Sequence, residues 1–440
     1  AQVMDMTHNI LIAGTGPVAK QYAVLLARHS TCTISMVGRG YSSQKAQQFI
    51  TAYRQYGFVE ARVQNQQHDA LAGRCYLEQL YVDYAAVTGR YKTLILACTA
   101  DSYIQVLQQL PQSILQQLEH VVLVSPTFGS HAIVTAYLHT VNSSVEVMSC
   151  STYFGDTRAT TTSHQVLTTG VKKQIYIGSV RTNSDFVAQF TYVLQRANIA
   201  IQVAKSPLHA ESRNSSLYVH PPLFMNDFAL EVIFRGSNVP KYVYKLFPEG
   251  PITMAVINEM RQLWCEINTI MEGLQVPKLN LLQFMVTENY PLRAETIDSY
   301  AIEHFELLPA IYQEYLLYVR YTAILIDPFS QPNKHGEYYD FSAVPFQSIY
   351  QDSQQIYQVP RMPAEDYYRT KLIQGLGVML QIATPMIDTL LQRYEQQLVT
   401  FPKQPEQQYA DSFTVQMFQQ DIQLLQQFFA STRHDDVDIN

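Results

Sequence analysis

Asn9-Ile10-Leu11-Ile12-Ala13-Gly14-Thr15-Gly16-Pro17-Val18-Ala19 joins an apolar run to a GxGxxA loop. The run has the length and apolarity of a buried strand, and Val18–His29 beyond it carries apolar residues at helical spacing. Strand, glycine loop and helix in that order form the phosphate-binding corner of a dinucleotide domain. Gly14 permits the tight turn, Gly16 lets a pyrophosphate approach the backbone, and Ala19 lets helix and strand pack closely. The helix start adds unpaired N–H groups and the positive end of its dipole. Gly14, Thr15, Gly16, Pro17, Val18 and Ala19 are therefore read as cofactor-binding.

Outward from this corner, short apolar runs alternate with helical stretches. Cys32–Val37, Thr93–Cys98, His120–Ser125 and Val145–Ser151 read as strands, Ser43–Tyr56 and Ser102–Leu118 as helices. Such alternation predicts a parallel sheet covered on both faces. From about residue 190 the pattern turns helical, with helices expected at Pro251–Leu274, Ile302–Leu325, Asp366–Leu380 and Pro385–Thr400. A Gln- and Phe-rich helical run follows at Gln407–Phe429. The turns 245–251 (KLFPEGP) and 327–333 (DPFSQPN) are too apolar for flexible linkers, so they are expected to be packed. The polar tail from Ser431 is expected to fray. The fold class is α/β: a Rossmann-like domain over residues 1–189, then a mostly α-helical catalytic domain over 190–440. The site is expected in the crevice between them.

Composition excludes several classes of function. The chain has 440 residues, 47% hydrophobic and only 15% charged, with a net charge of -7. That balance opposes nucleic-acid binding, which needs a basic surface, and a polybasic membrane anchor. No apolar run approaches the roughly 20 residues that cross a bilayer. The opening stretch 1–9 lacks the basic flank and apolar core of a secretory signal. Cys32, Cys75, Cys98, Cys150 and Cys265 form no CxxC pair, so a reduced, cytoplasmic protein is expected.

The end of the second strand selects the cofactor. An Asp or Glu there would hold the ribose 2′-hydroxyl of NAD, but this strand ends Val37-Gly38-Arg39-Gly40, with Lys45 on the next helix. A guanidinium fork pairs with a 2′-phosphate and a lysine adds charge, so the sequence predicts NADPH. Two solvated surface cations are the alternative. Cys98 and Thr99, at a later strand end, and Ser125–Ser130 (SPTFGS) are placed in the cofactor groove. Cys98 is taken as a small residue beside the cofactor rather than a nucleophile.

The segment Ser206–Asp227 (SPLHAESRNSSLYVHPPLFMND) crowds two histidines, an arginine and several hydroxyls around Pro221-Pro222. It reads as poor core material and as a site. His220 suits proton transfer near neutral pH; a hydrogen-bonded packing histidine is the alternative. In Tyr153–Arg158 (YFGDTR), Asp156 suits a substrate ammonium and Arg158 a carboxylate, or the two form a structural pair. Asp366, in Arg361–Arg369 (RMPAEDYYR), either favours a helix start or orients a histidine. His209, His220 and His304 fit neither HExxH nor CxxC spacing, so no metal is expected.

GTGPVA, VGR, ACTAD, SPTFGS, STYFGDTR, TTGVKK, RNSSLYVHPPLFMNDF, YVYKLFPEGPIT, LLQFM, ENYP, YVRYTAILIDPFSQP, FSAVPF and RMPAEDYYRT together resemble the opine metallophore dehydrogenases, the staphylopine and yersinopine enzymes, over roughly Asn9 to Tyr394. The resemblance implies reductive condensation of a histidine–aminobutyrate intermediate with a 2-oxo acid, pyruvate in those two enzymes and 2-oxoglutarate in relatives. It places the glycine loop on Gly14, Gly16 and Ala19, the 2′-phosphate contacts on Arg39 and Lys45, and the cleft histidine on His220. The substrate-side aspartate falls on Asp156 and the wider family's ED-motif aspartate on Asp366. In that chemistry His220 takes a proton from the amine and returns one to the departing hydroxyl. Asp366 or Asp156 steadies it, and Arg158 and Arg213 are candidates for the oxo acid carboxylate. A homodimer is expected; the Gln-rich C-terminal helix suits either its interface or the core. The rivals are another NADP-dependent hydroxy acid or amino acid dehydrogenase, and an NADPH-binding protein without turnover.

Overall fold

The computed structural model describes residues 5–289, 292–324, 332, 334–336, 340 and 342–435. They fall into two compact units. One holds the described residues up to Arg213 together with those from Gln420 onward; the other is Asn214–Gln419.

The first unit contains strands β1 (Asn9–Ala13), β2 (Thr33–Val37), β3 (Val59–Val63), β4 (Gly73–Cys75), β5 (Leu80–Tyr81), β6 (Thr93–Leu96), β7 (His120–Leu123), β8 (Glu146–Cys150), β9 (Gly155–Ala159), β10 (Gln165–Val171), β11 (Ile175–Ser179) and β12 (Ile201–Val203). Its helices are α1 (Pro17–His29), α2 (Gln44–Tyr56), α3 (Tyr103–Gln109), α4 (Gln112–Gln117), α5 (Ser130–Leu138), α6 (Asp185–Arg196) and α7 (Pro207–Ser212). The large sheet runs β12-β11-β8-β7-β6-β1-β2-β5, parallel except where β11 meets β8. Ile10, Leu11 and Ile12 on β1 have no exposed surface, each contributing about 1.5–3 kcal/mol by burial. A strand buried on both faces needs layers on both sides, as the apolar runs predicted. Chain order reverses at β1, flanked by β2 and β6, so the loops after β1 and β6 lie side by side at the strand carboxyl ends.

A second sheet, β4-β3-β10-β9, was not foreseen. Its strands are short and half polar, and a buried hydroxyl chain ties it to α1. Tyr153 OH meets Thr157 Oγ1 at 2.5 Å, Thr157 meets Thr168 Oγ1 at 2.7 Å, and Thr168 donates to Gln21 Oε1 at 2.6 Å.

Several expected boundaries move for local reasons. The helix expected over Ser102–Leu118 divides into α3 and α4, because Pro111 forces Leu110 into extended backbone. The first domain, expected to end at residue 189, continues to Arg213: β12 pairs with β11, and the carbonyl of Ser206, just before α7, packs against Gly178. The C-terminal helix Gln419–Asp435, expected in the second domain, belongs almost wholly to the first unit. Leu425 seats against Gly129, and the Phe428 ring lies 5.9 Å from His131.

The second unit is mostly helical: α8 (Ser216–Phe224), α9 (Asp227–Arg235), α10 (Met254–Gly273), α11 (Leu281–Phe284), α12 (Ser299–Glu303), α13 (Ala310–Ala323), α14 (Arg361–Leu380) and α15 (Pro385–Thr400). Pro309 divides the run expected at Ile302–Leu325, holding Leu308 extended ahead of α13. In α10, Val256, Met260, Leu263, Ile267, Ile270 and Met271 form an apolar stripe at three- and four-residue spacing. Arg393 of α15 forks onto Glu259 of α10 at 2.9 and 2.6 Å, and Glu266 of α10 accepts the Met386 and Ile387 N–H groups at the start of α15. The turn at 245–251 is only partly packed, with Phe247 62% exposed. The turn expected at 327–333, apart from Pro332, and the tail end 436–440 lie outside the described residues. No helix among the described residues is long and apolar enough to cross a membrane.

Candidate active site

The cofactor corner is built by β1, β2 and β6. Gly14 N–H donates to Val37 O at 2.8 Å, and Ala97 N–H to Ala13 O at 2.9 Å, which locks the three strand ends together. Gly14 has φ +130°, and a Cβ there would stand 2.8 Å from the Ala97 carbonyl oxygen. Only glycine fits. At Gly16 an added Cβ would meet no protein atom within 4 Å. The protein's own packing therefore does not demand a glycine at Gly16, but a bound phosphate would. Gly16 caps α1 with no side-chain hydrogen bond, Pro17 follows, and the first turn carries no acid. The helix start is thus open to an anion. Thr15 lies beside it, Val18 is partly buried against the core, and Ala19 is fully buried.

Arg39 and Lys45 are exposed at the end of β2 and the start of α2, and neither forms an ion pair among the described residues. Lys20, overlooked in the sequence, joins them. Its ammonium lies 4.5 Å from the Phe49 ring centre, and burial, then Lys45, pushes it down to about 8. Cationic groups without acids match a 2′-phosphate. Thr99 Oγ1 meets Ser102 Oγ at 3.0 Å after β6. Cys98 keeps some exposed surface, yet its thiol sits deep enough for burial to push it up to about 12. A thiol so held is no nucleophile near neutral pH.

In the same unit Glu211 of α7 is fully buried. It accepts the N–H groups of Gly129 (3.1 Å) and His131 (2.9 Å) and the Ser149 hydroxyl (2.9 Å). Burial pushes its carboxyl up to about 8 despite those three bonds. It tethers the loop Ser125–Ser130 at the end of β7.

His220 lies in α8, and here the expectation of poor core material fails. Leu217–Phe224 is buried throughout, and the helix continues through Pro221 and Pro222 because α10 and α14 pack around it. His220 is 8% exposed. Its Nδ1 stands 3.3 Å from Asp366 Oδ1, its Nε2 3.3 Å from Tyr244 OH, and the Phe224 ring meets its face edge-on at 5.3 Å. Asp366 has no exposed surface. It lies beyond the first turn of α14, which carries no acid, and it faces His220. The approach to His220 is off the hydrogen-bond line: Nδ1 and both Asp366 oxygens have no hydrogen-bond partner among the described residues. Catalytic contacts are often loose before substrate arrives. Arg369 Nε completes the group, 3.4 Å from Asp366 Oδ1.

The carboxylate beside His220 is therefore Asp366. Asp156 lies on β9, exposed, bound to Arg158 Nη2 at 3.1 Å and accepting from Thr169 Oγ1 at 3.1 Å. Arg213 donates to Ser212 Oγ at 2.8 Å. Tyr244 and Arg369 escaped the sequence reading. Tyr244 sits in YVYKLFPEGPIT with no local pattern to mark it, whereas Arg369, three residues after Asp366, had an acid–base helical spacing that could have been read. No cluster of three or more His, Cys, Asp or Glu side chains suited to a metal occurs among the described residues.

The profile of the staphylopine dehydrogenase family matches residues 8–429. The chain belongs to that family. Staphylopine synthase of Staphylococcus aureus is 51% identical over 427 residues, covering 96% of this chain and 99% of that protein. Yersinopine synthase of Yersinia pestis is 34% identical, over 90% of this chain and 93% of that one. The solved structure of yersinopine dehydrogenase with NADP+ bound superposes with a TM-score of 0.89 at 30% identity, covering 97% of this chain and 99% of that one. Membership makes the chain an opine dehydrogenase, an NADP-dependent oxidoreductase acting on CH–NH bonds. The glycine corner and its unpaired cations fit that cofactor.

Proposed function

We propose that this opine dehydrogenase condenses the primary amine of a histidine–aminobutyrate intermediate with pyruvate and reduces the resulting imine, yielding a nicotianamine-like metallophore. The observation that carries the chemistry is the buried His220–Asp366 pair, a proton-handling group in a second unit separate from the cofactor corner. The preference for pyruvate rests on the sequence runs shared with the staphylopine and yersinopine branch.

The cofactor, when bound, supplies a hydride. The chain's own residues do the rest. Gly14–Ala19 and the start of α1 hold the pyrophosphate, and Arg39 and Lys45 hold the 2′-phosphate. Thr99 and Cys98 line the groove. His220 first takes a proton from the substrate ammonium. It then returns one to the carbinolamine hydroxyl, which leaves as water. Asp366 fixes the tautomer of the ring and steadies its charged form. Asp156 is assigned to a substrate ammonium, and Arg158 and Arg213 to carboxylates. The enzyme works as a homodimer in the cytoplasm, on small molecules, without nucleic acid, membrane or protein-bound metal.

The product identifies the oxo acid. The protein is incubated with NADPH and the histidine–aminobutyrate intermediate, with pyruvate or 2-oxoglutarate in separate vessels, and the product is weighed by mass spectrometry. A secondary amine carrying the three-carbon acid is expected. A product formed only with 2-oxoglutarate overturns the pyruvate assignment.

A further inference from the structure

Two groups converge on one oxygen of Asp366. His220 Nδ1 stands 3.3 Å from Oδ1, Arg369 Nε stands 3.4 Å from the same atom, and the carboxylate has no exposed surface. A buried carboxylate needs a counter-charge. An imidazolium or a guanidinium can provide it, and only the guanidinium is always charged. The surrounding charges identify which one does. Arg361 pairs with Glu365 at 2.6 Å, and the other Glu365 oxygen lies 4.0 Å from Arg369. Lys371 on the same helix is matched by Glu395 of α15 at 3.2 Å. Two arginines thus face two carboxylates, and the cluster is neutral with no proton added to His220.

We infer that Arg369 is a positioning residue of the proposed chemistry: it supplies the counter-charge of Asp366, so that His220 rests as the neutral imidazole able to take the first proton. The inference rests on the acid–base reading of His220. A His–Asp pair alone in a buried site favours imidazolium beside carboxylate, a resting state already protonated and useless as a base. With Arg369 in place the ring becomes a cation only after it has accepted the substrate proton, and Asp366 then steadies it for the return step. The remaining neighbours do not disturb this balance. Tyr244 OH faces Nε2, and Tyr394 of α15, near Asp366, is a phenol held neutral because burial pushes it far up. No further charged side chain among the described residues, from α9, α10 or elsewhere, stands within ion-pair distance of His220 or Asp366.

The test is the pH profile of kcat/KM for the amine at saturating NADPH in wild type, Arg369→Met and Arg369→Lys, with NADPH affinity and circular dichroism as controls for folding. Without the guanidinium, the Asp366 carboxylate draws a proton onto His220, so the base becomes available only at higher pH. Arg369→Met should move the acidic limb upward by about one to two pH units, with much of the rate recovered above it. Arg369→Lys should return the limb most of the way, and NADPH affinity should not change. An equal loss at every pH, an acidic limb that stays or moves down, or no loss at all overturns the inference. Should Arg369→Met not fold, Arg369→Gln takes its place. Titration of the His220 ring by NMR gives a second reading that needs no turnover: the wild-type ring should lose its proton at lower pH than the variant's. If wild type condenses no amine with any oxo acid, the functional reading has failed, and the NMR comparison still decides the role of Arg369.

Discussion

His220 shows how burial turns an ordinary residue into a candidate acid–base group. In water an imidazole is surrounded by exchangeable partners, whereas here Tyr244 OH meets Nε2 and the Asp366 carboxylate stands 3.3 Å from Nδ1 without a hydrogen bond. Arg39 and Lys45 make the complementary case, since both are exposed and neither forms an ion pair among the described residues, so their charge can meet an anion. Arg39→Ala should weaken NADPH binding about 10- to 100-fold, the worth of a charge-assisted pair, and leave NADH binding unchanged. Fluorescence titration with the two cofactors checks it, and an equal loss for both would show that Arg39 does not read the 2′-phosphate. These positions were legible because glycine loops, strand ends and a histidine among prolines carry local patterns. Which carboxylate meets His220 was not legible. Asp156 and Asp366 both suit the role by residue type, and only the packing of α14 on α8 separates them.

At the level of elements, a buried carboxylate ties α7 to the loop before α5. Glu211 is ordinarily ionised above about 4.5, but in the folded protein burial pushes its carboxyl up to about 8. Between those values the folded state holds a proton that the unfolded chain has released. Stability from this group is therefore complete below about 4.5 and is lost as pH rises through about 8, by up to about 1.4 kcal/mol per pH unit. Glu211→Gln removes the titration and one acceptor. Its deficit in urea-unfolding free energy relative to wild type should be largest near pH 5 and shrink toward pH 8. A deficit independent of pH would contradict the raised carboxyl. Glu211 was hidden in the sequence because its partners, Gly129, His131 and Ser149, lie some 60 to 80 residues away. Pro111 and Pro309, by contrast, announce the helix breaks at their own positions, and reading them as strict stops would have placed α3, α4 and α13 more closely.

For the molecule as a whole, the order of apolar runs foretold a parallel sheet followed by helices. It did not foretell that the chain returns. The C-terminal helix packs on the first unit, where Leu425 meets Gly129, because an amphipathic Gln- and Phe-rich helix specifies a buried face but not whose face covers it. The small sheet β4-β3-β10-β9 was equally silent: its strands are short, and only a few scattered apolar residues, Val59, Ala61, Cys75 and Val166, enter the core beside the hydroxyl chain. With the architecture and family in hand, the central claim concerns chemistry: the protein joins an amine to an oxo acid and then reduces the product. The most direct measurement follows NADPH absorbance with the purified protein, adding the histidine–aminobutyrate intermediate and pyruvate separately and together, beside a His220→Ala variant. NADPH should be consumed only when both substrates are present, and the rate should fall about 100-fold or more in the variant. Consumption with pyruvate alone, or an undiminished rate in His220→Ala, would contradict reductive condensation at this site.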